Sequence, residues 1–65
     1  MVKINLAELL AKKKMSRADL SRRTEIRYNT INDLYYEIAI SVKFEHIEKI
    51  CAELECTVSE LIEIR

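Results

Sequence analysis

Apolar residues recur at steps of three and four along most of the chain, which is the spacing of one face of an amphipathic helix. Leu6, Leu9 and Leu10 form the first such stripe, and the longest stripe runs from Phe44 to Leu54. From this pattern we predict five short helices, over residues 6–13, 17–24, 28–36, 44–54 and 58–64. Five helices joined by brief connections indicate an all-α fold.

Residues suited to helix N-caps precede three of these segments. Asn5, Ser16 and Thr57 can each accept a hydrogen bond from a free backbone N–H of the first helical turn. Glu8 and Glu60 follow Asn5 and Thr57 by three residues, so both starts match a capping box. We therefore expect the first, second and fifth helices to begin directly after these caps.

The segment over residues 37–43 does not fit the helical pattern. Ile38, Ile40 and Val42 alternate with smaller or polar residues, which is the period of a strand. Because a single strand would have no partner here, we interpret this segment as an extended loop whose apolar side chains reach the core.

Composition narrows the fold and function classes. The chain of 65 residues contains no Gly and no Pro, which argues against a sandwich of many strands and excludes glycine-rich phosphate loops. We expect no signal peptide and no membrane span. Cys51 and Cys56 are predicted to be reduced thiols in the cytoplasm, with neither a disulfide nor a zinc site.

Charge is unevenly distributed along the chain, although the net charge is zero. Residues 1–36 carry eight basic against four acidic residues, whereas residues 37–65 carry three against seven, so the halves are +4 and −4. A protein polarised in this way can present one basic face to phosphates and turn its acidic end away.

The second and third predicted helices are joined by only three residues, 25–27, and so short a connection forces the steep crossing of a helix-turn-helix. Residues 15–34, MSRADLSRRTEIRYNTINDL, and the tail over 54–62, LECTVSELI, resemble the Cro and phage-repressor family, also called the xenobiotic-response-element family. The resemblance implies a compact, lambda-repressor-like domain of five helices over residues 1–65, with its helix-turn-helix at helices two and three.

The sequence departs from this family at three positions where members often carry glycine. Lys14, Glu25 and Glu37 stand after the first helix, in the central turn and after the third helix. Each would cost about 1 kcal/mol in a left-handed backbone conformation.

The resemblance also implies which residues contact DNA. Four positions at the start of the third helix match those that read base edges in the major groove: Tyr28, Asn29, Asn32 and Asp33. Asparagine can pair with adenine through two hydrogen bonds, and aspartate can accept one from cytosine. The alternative is that the asparagines only solvate the helix start and that Tyr28 packs on a neighbour.

Three basic residues match phosphate-contacting positions of the family, namely Arg17, Arg27 and Lys43. Arg22 and Arg23 are weaker candidates for the same role. Each of these side chains could instead be an ordinary solvated surface charge.

The predicted function is sequence-specific binding of double-stranded DNA by a small transcriptional repressor, acting as a homodimer. The expected dimer surface consists of Val58, Leu61, Ile62 and Ile64, unless these residues only close the core.

The alternative function is a protein-interaction module, such as an anti-repressor or an antitoxin subunit, which kept the fold and lost DNA binding. An enzyme is not expected, and no cofactor or metal is predicted, because the chain has one His and no nucleophile beside a base.

Overall fold

Five helices follow one another in the part of the chain that the computed structural model describes, residues 2–64. The elements are β1 Val2–Ile4, α1 Leu6–Lys13, α2 Arg17–Thr24, α3 Tyr28–Tyr35, α4 Phe44–Leu54, α5 Val58–Leu61 and β2 Ile62–Ile64. The predicted bounds of α1, α2 and α4 are confirmed, and α3 ends one residue earlier than expected. The predicted fifth helix is too long by three residues.

The two strands correct the expectation of a purely helical fold. β1 and β2 pair antiparallel, with Val2 opposite Ile64 and Ile4 opposite Ile62. Each segment is only three residues long and apolar at its two ends, so neither predicts a strand in isolation. Pairing of residues about sixty positions apart supplies the partner that a local reading of the sequence could not foresee.

The core lies where all five helices meet. Its buried apolar side chains are Leu6, Leu9, Leu10, Leu20, Ile26, Ile31, Leu34, Ile50, Leu54 and Leu61. Residues 37–43 form a loop as expected, and Val42 packs against this core. Ile38 and Ile40 do not reach it, because 65% and 103% of their surfaces are exposed, which corrects that prediction.

Two of the three predicted caps are confirmed. Ser16 Oγ accepts from the Asp19 backbone N–H at 3.0 Å, and Thr57 with Glu60 forms a complete capping box. Asn5 makes no capping bond, so that prediction is wrong. Its Nδ2 donates instead to the Glu60 carbonyl oxygen at 3.2 Å and to Glu63 Oε1 at 2.7 Å, and it thereby ties the start of α1 to the chain's C-terminal end.

Four helix ends place a residue other than glycine in the left-handed region. The φ angles are 53° at Lys14, 60° at Glu25, 59° at Glu37 and 52° at Glu55. The first three are the positions at which the family often has glycine, so the expected backbone cost is present. Glu55, after α4, adds a fourth.

Replacing Lys14 with glycine is expected to stabilise the domain by about 1 kcal/mol, because glycine adopts positive φ without a Cβ penalty. For a domain of this size the melting temperature should rise by roughly 4–8 °C, measured by circular dichroism. Lys13→Gly is the matched control, because it removes the same charge from a helical position one residue earlier. It should destabilise by about 1 kcal/mol. Equal melting temperatures for the two variants would contradict the prediction.

The Asp19 carboxylate makes folding stability depend on pH. Hydrogen bonds to Ser16 chiefly, with a smaller contribution from the charge of Arg22, lower the pKa of Asp19 below its usual value. A lowered folded-state pKa stabilises the fold above the unfolded pKa, roughly 4, and this contribution is lost as the pH falls through the folded value. Asp19→Asn should therefore weaken the domain at pH 7, and its difference from the wild type should shrink below about pH 4.

Urea denaturation at several pH values measures this difference. In a Ser16→Ala background, the pH-dependent part of the Asp19→Asn effect should be smaller because the main hydrogen-bond partner is gone. An Asp19→Asn effect that stayed constant from pH 7 to pH 3 would show that the carboxylate has no such role.

Candidate nucleic-acid interface

The turn between α2 and α3 is held by two hydrogen bonds and by one residue in the left-handed conformation. Ile26 is buried in the core, and its carbonyl oxygen accepts a hydrogen bond from Ser21 Oγ at 2.5 Å. The buried Thr24 hydroxyl donates to the Leu20 carbonyl oxygen at 2.7 Å. Glu25 supplies the left-handed turn. Together these contacts fix the angle at which α3 leaves α2.

The inner face of α3 packs against the core, and its other residues divide into two rows. Ile31 and Leu34 are the buried residues of the helix. Asn29 and Asp33 are exposed and lie four residues apart, on one face of the helix, and we call them the outer row. Neither the Asn29 nor the Asp33 side chain has a hydrogen bond or ion pair to another residue within 2–64. Both polar side chains therefore remain available to an external partner.

The second row of α3 surrounds Arg17, the first residue of α2. The Arg17 guanidinium carbon lies 6.0 Å from the ring centre of Tyr28, 4.4 Å from that of Tyr35 and 5.3 Å from that of Tyr36. Its Nη1 donates to Asn32 Oδ1 at 2.6 Å. We call these five residues the Arg17 cluster. A hydrogen bond with Tyr36, opposed by desolvation, raises the pKa of Arg17 above its ordinary value.

The Arg17 cluster was not foreseen from the sequence, and the predicted phosphate contact of Arg17 stays a prediction. Stacking on aromatic faces and bonding to an amide oxygen hold the guanidinium against α3, so it is no freely solvated charge. Tyr35 and Tyr36 also meet edge to face, with ring centres 5.1 Å apart. A predicted phosphate-contacting residue and two predicted base-reading residues, Tyr28 and Asn32, are therefore parts of one arrangement.

Arg27 and Lys43 lie together at a second location. Both line a surface depression between the helix-turn-helix turn and the beginning of α4. Neither forms an ion pair among residues 2–64, whereas Arg22 is paired with Asp19, and Arg23 Nη1 lies 3.4 Å from Glu53 Oε2. Arg27 and Lys43, two of the three residues predicted to contact phosphate, thus keep their charges unpaired within the described chain, whereas the weaker candidates Arg22 and Arg23 are partly neutralised by carboxylates.

Three polar residues that the sequence analysis missed line the same depression, namely Thr30, Ser41 and His46. His46 lies three residues after Lys43, on the first turn of α4. That helical spacing could have predicted from the sequence that His46 lies near Lys43. Thr30 and Ser41 carried no signal, because their approach depends on how α3, the loop and α4 pack.

Comparison with known proteins decides the family. A family model for the Cro/C1-type HTH DNA-binding domain matches residues 5–65. This chain belongs to that family. The HTH-type transcriptional regulator YozG of Bacillus subtilis (strain 168) is 36% identical over 62 residues, which are 95% of this chain and 74% of YozG. The family match begins at Asn5, so β1 lies outside it.

The C-terminal surface of this Cro/C1-type domain differs from the predicted dimer surface. Leu61 is buried in the domain's own core, and Ile62 is half-buried against it. Val58 and Ile64 are exposed, and Val2, the cross-strand neighbour of Ile64, is exposed as well. Only two of the four predicted residues can therefore offer substantial apolar surface to another molecule.

The two cysteines of the Cro/C1-type domain are free and pack against its core at the end of α4. Burial, followed by a hydrogen bond with Cys51, raises the pKa of the Cys56 thiol to about 11. This thiol is therefore protonated at neutral pH. No helix within residues 2–64 is long and apolar enough to cross a membrane.

Proposed function

We propose that this Cro/C1-type domain is a transcriptional repressor that binds double-stranded DNA with α3 in the major groove, in the cytoplasm of a bacterium. The observation that carries the proposal is the outer row of α3. Asn29 and Asp33 are exposed and have no partner within the described chain, and they lie on the second helix of a helix-turn-helix. The name of the B. subtilis relative, an HTH-type transcriptional regulator, supports the regulatory role.

The outer row supplies two of the base contacts in this proposal. Asn29 pairs with adenine through N6 and N7, and Asp33 accepts a hydrogen bond from the amino group of cytosine. Tyr28, also partly exposed at the first position of α3, contacts a thymine methyl group or a phosphate. These contacts determine sequence preference because they reach base edges.

Arg27 and Lys43, which line one depression, supply the phosphate contacts. Phosphate contacts fix the position of the protein on the duplex and provide most of its salt-dependent affinity. Arg17 adds positive charge near the start of α3 while it remains part of the Arg17 cluster.

We propose further that the protein binds a two-fold operator as a homodimer, with half-sites about 34 Å apart. Its dimer surface consists of Val58 and Ile64 together with Val2, since Leu61 belongs to the core of each subunit. A dimer would double the number of base and phosphate contacts without enlarging a domain of 65 residues.

The test of DNA binding is selection from a random duplex library, followed by titration of the enriched site over a range of salt concentrations. A palindromic consensus, bound far more tightly than random DNA and weakened by Asn29→Ala, is the expected result. Affinity should fall steeply with salt, because phosphate contacts release counterions. Absence of any enriched sequence would overturn the proposal.

The dimer proposal predicts that Ile64→Lys weakens self-association about tenfold or more, because a charge would be buried in an apolar interface. Sedimentation velocity with and without the selected operator measures the association. Ala52→Lys, on the exposed face of α4, is the matched control and should leave self-association unchanged. A wild-type protein that is monomeric both alone and on its operator would contradict the prediction.

The alternative function is a protein-interaction module, and one observation favours it. Ile38 and Ile40 are exposed on the loop over residues 37–43, and Phe44 follows them with 84% of its surface exposed. Such exposed apolar residues are typical of surfaces that bind another protein. If the DNA selection fails, this loop is the first surface to test, by substituting Ile40 with Asp in a partner-binding assay.

A further inference from the structure

The side chain of Asn32 is held by a hydrogen bond within the domain, whereas those of Asn29 and Asp33 in the outer row are not. The contact between Arg17 Nη1 and Asn32 is 2.6 Å long. An arginine side chain can only donate hydrogen bonds, so the Asn32 atom that faces it must be the oxygen, Oδ1. The orientation of the Asn32 amide is therefore determined by chemistry.

The amino group of Asn32 points away from this contact. Asn32 Nδ2 has no hydrogen-bond partner within residues 2–64, and no side-chain polar atom buried in that part of the chain lacks a partner. Nδ2 consequently lies at the surface. Asn32 thus offers a donor to its surroundings, while its acceptor is engaged by Arg17.

Arg17 cannot easily release this acceptor. The bond is assisted by the positive charge of the guanidinium, and such bonds are roughly twice as strong as neutral ones. The rings of Tyr28, Tyr35 and Tyr36 also hold the guanidinium in position. Turning the Asn32 amide would place its amino group against a cation and would break the hydrogen bond.

We propose that Arg17 is a positioning residue that fixes Asn32 as a hydrogen-bond donor, so that Asn32 selects guanine and not adenine in the DNA site. The inference rests on the proposed function and determines one position of the recognised sequence. The two-bond contact with adenine needs Oδ1 to accept from N6 while Nδ2 donates to N7. Guanine presents two acceptors, N7 and O6, and no donor at the same edge, so it suits an amide that offers only its amino group.

The experiment compares base preferences of four proteins in the same library selection: wild type, Asn32→Ala, Arg17→Met and Arg22→Met. Asn32→Ala identifies the position read by Asn32, because it abolishes the preference at that position alone. Two duplexes that differ only there, with guanine or adenine, are then titrated with each protein. The ratio of the two affinities cancels any general loss of binding caused by the missing charge.

We expect the wild type to favour guanine about tenfold at this position. Arg17→Met frees Oδ1 and should move the ratio toward adenine by about tenfold. Arg22→Met removes the same charge from the same helix, but Arg22 pairs with Asp19 and has no hydrogen bond or ion pair to α3 among residues 2–64, so its ratio should equal that of the wild type. Circular dichroism confirms that each variant is folded.

Three results would overturn the inference while leaving DNA binding intact. One is a wild-type preference for adenine, the second is an Arg17→Met ratio equal to that of the wild type, and the third is no position affected by Asn32→Ala. A selection that enriches no sequence with any of the four proteins overturns the proposed function and the inference together.

Discussion

Leu20→Ala is expected to leave the domain largely unfolded at 37 °C. Leu20 is fully buried in α2, among the side chains of the single core. Truncating a buried leucine to alanine costs about 2–5 kcal/mol, since it removes apolar contacts and leaves a cavity. A core in a domain this small supplies no more than roughly 3–5 kcal/mol of net stability. The substitution therefore removes most or all of the domain's net stability.

Thermal and urea denaturation followed by circular dichroism measure this effect. Ile40→Ala is the control, because Ile40 has the same size and apolar character and is 103% exposed. Its free energy of unfolding should stay within about 0.5 kcal/mol of the wild type. A folded Leu20→Ala protein with nearly unchanged stability would show that the core is not organised around α2.

The double substitution Arg27→Ala/Lys43→Ala is expected to cause the largest loss of DNA affinity among surface variants. Two phosphate contacts contribute about 1.8 to the slope of log affinity against log salt concentration, so the slope should become shallower by about that amount. At 0.1 M salt the affinity should fall on the order of tenfold to a hundredfold. The loss should be similar for the selected site and for random DNA, because phosphates carry no sequence information.

Lys12→Ala/Lys13→Ala is the matched control, with the same change in net charge. These lysines lie in the last turn of α1, their charges lower the pKa of Glu60, and neither lines the depression beside α3. The salt slope of this control should match that of the wild type. If both double variants lost affinity equally, binding would depend on overall charge and not on the depression formed by Arg27 and Lys43.

Local signals explain why the helices could be predicted. Ser16 and Thr57 cap the helices that follow them, and both act within three residues of their own position. Asn5 has the same capping chemistry, yet its side chain binds Glu60 and Glu63, which lie more than fifty positions away. The sequence prediction was wrong at this residue because packing offered better partners than the local backbone did.

The candidate site could likewise be predicted only in part. The residues of the site could be predicted, because residues 15–34 resemble a known family. The resemblance showed which positions follow the turn and begin the third helix. The contact between Arg17 and Asn32 joins residues 15 positions apart, and it depends on the angle between α2 and α3. The sharing of one depression by Arg27 and Lys43 depends likewise on the path of the loop before α4.

The pairing of β1 with β2 has a consequence for the order of folding. Closing a loop of nearly the whole chain costs more configurational entropy than forming any helix or the α2–α3 turn. The strands therefore join after the helices have brought them together, and they are the first part to separate when the domain opens locally. The β1–β2 pair is therefore a late-forming contact between the two ends of the described chain, and it can open while α2 and α3 keep their native arrangement.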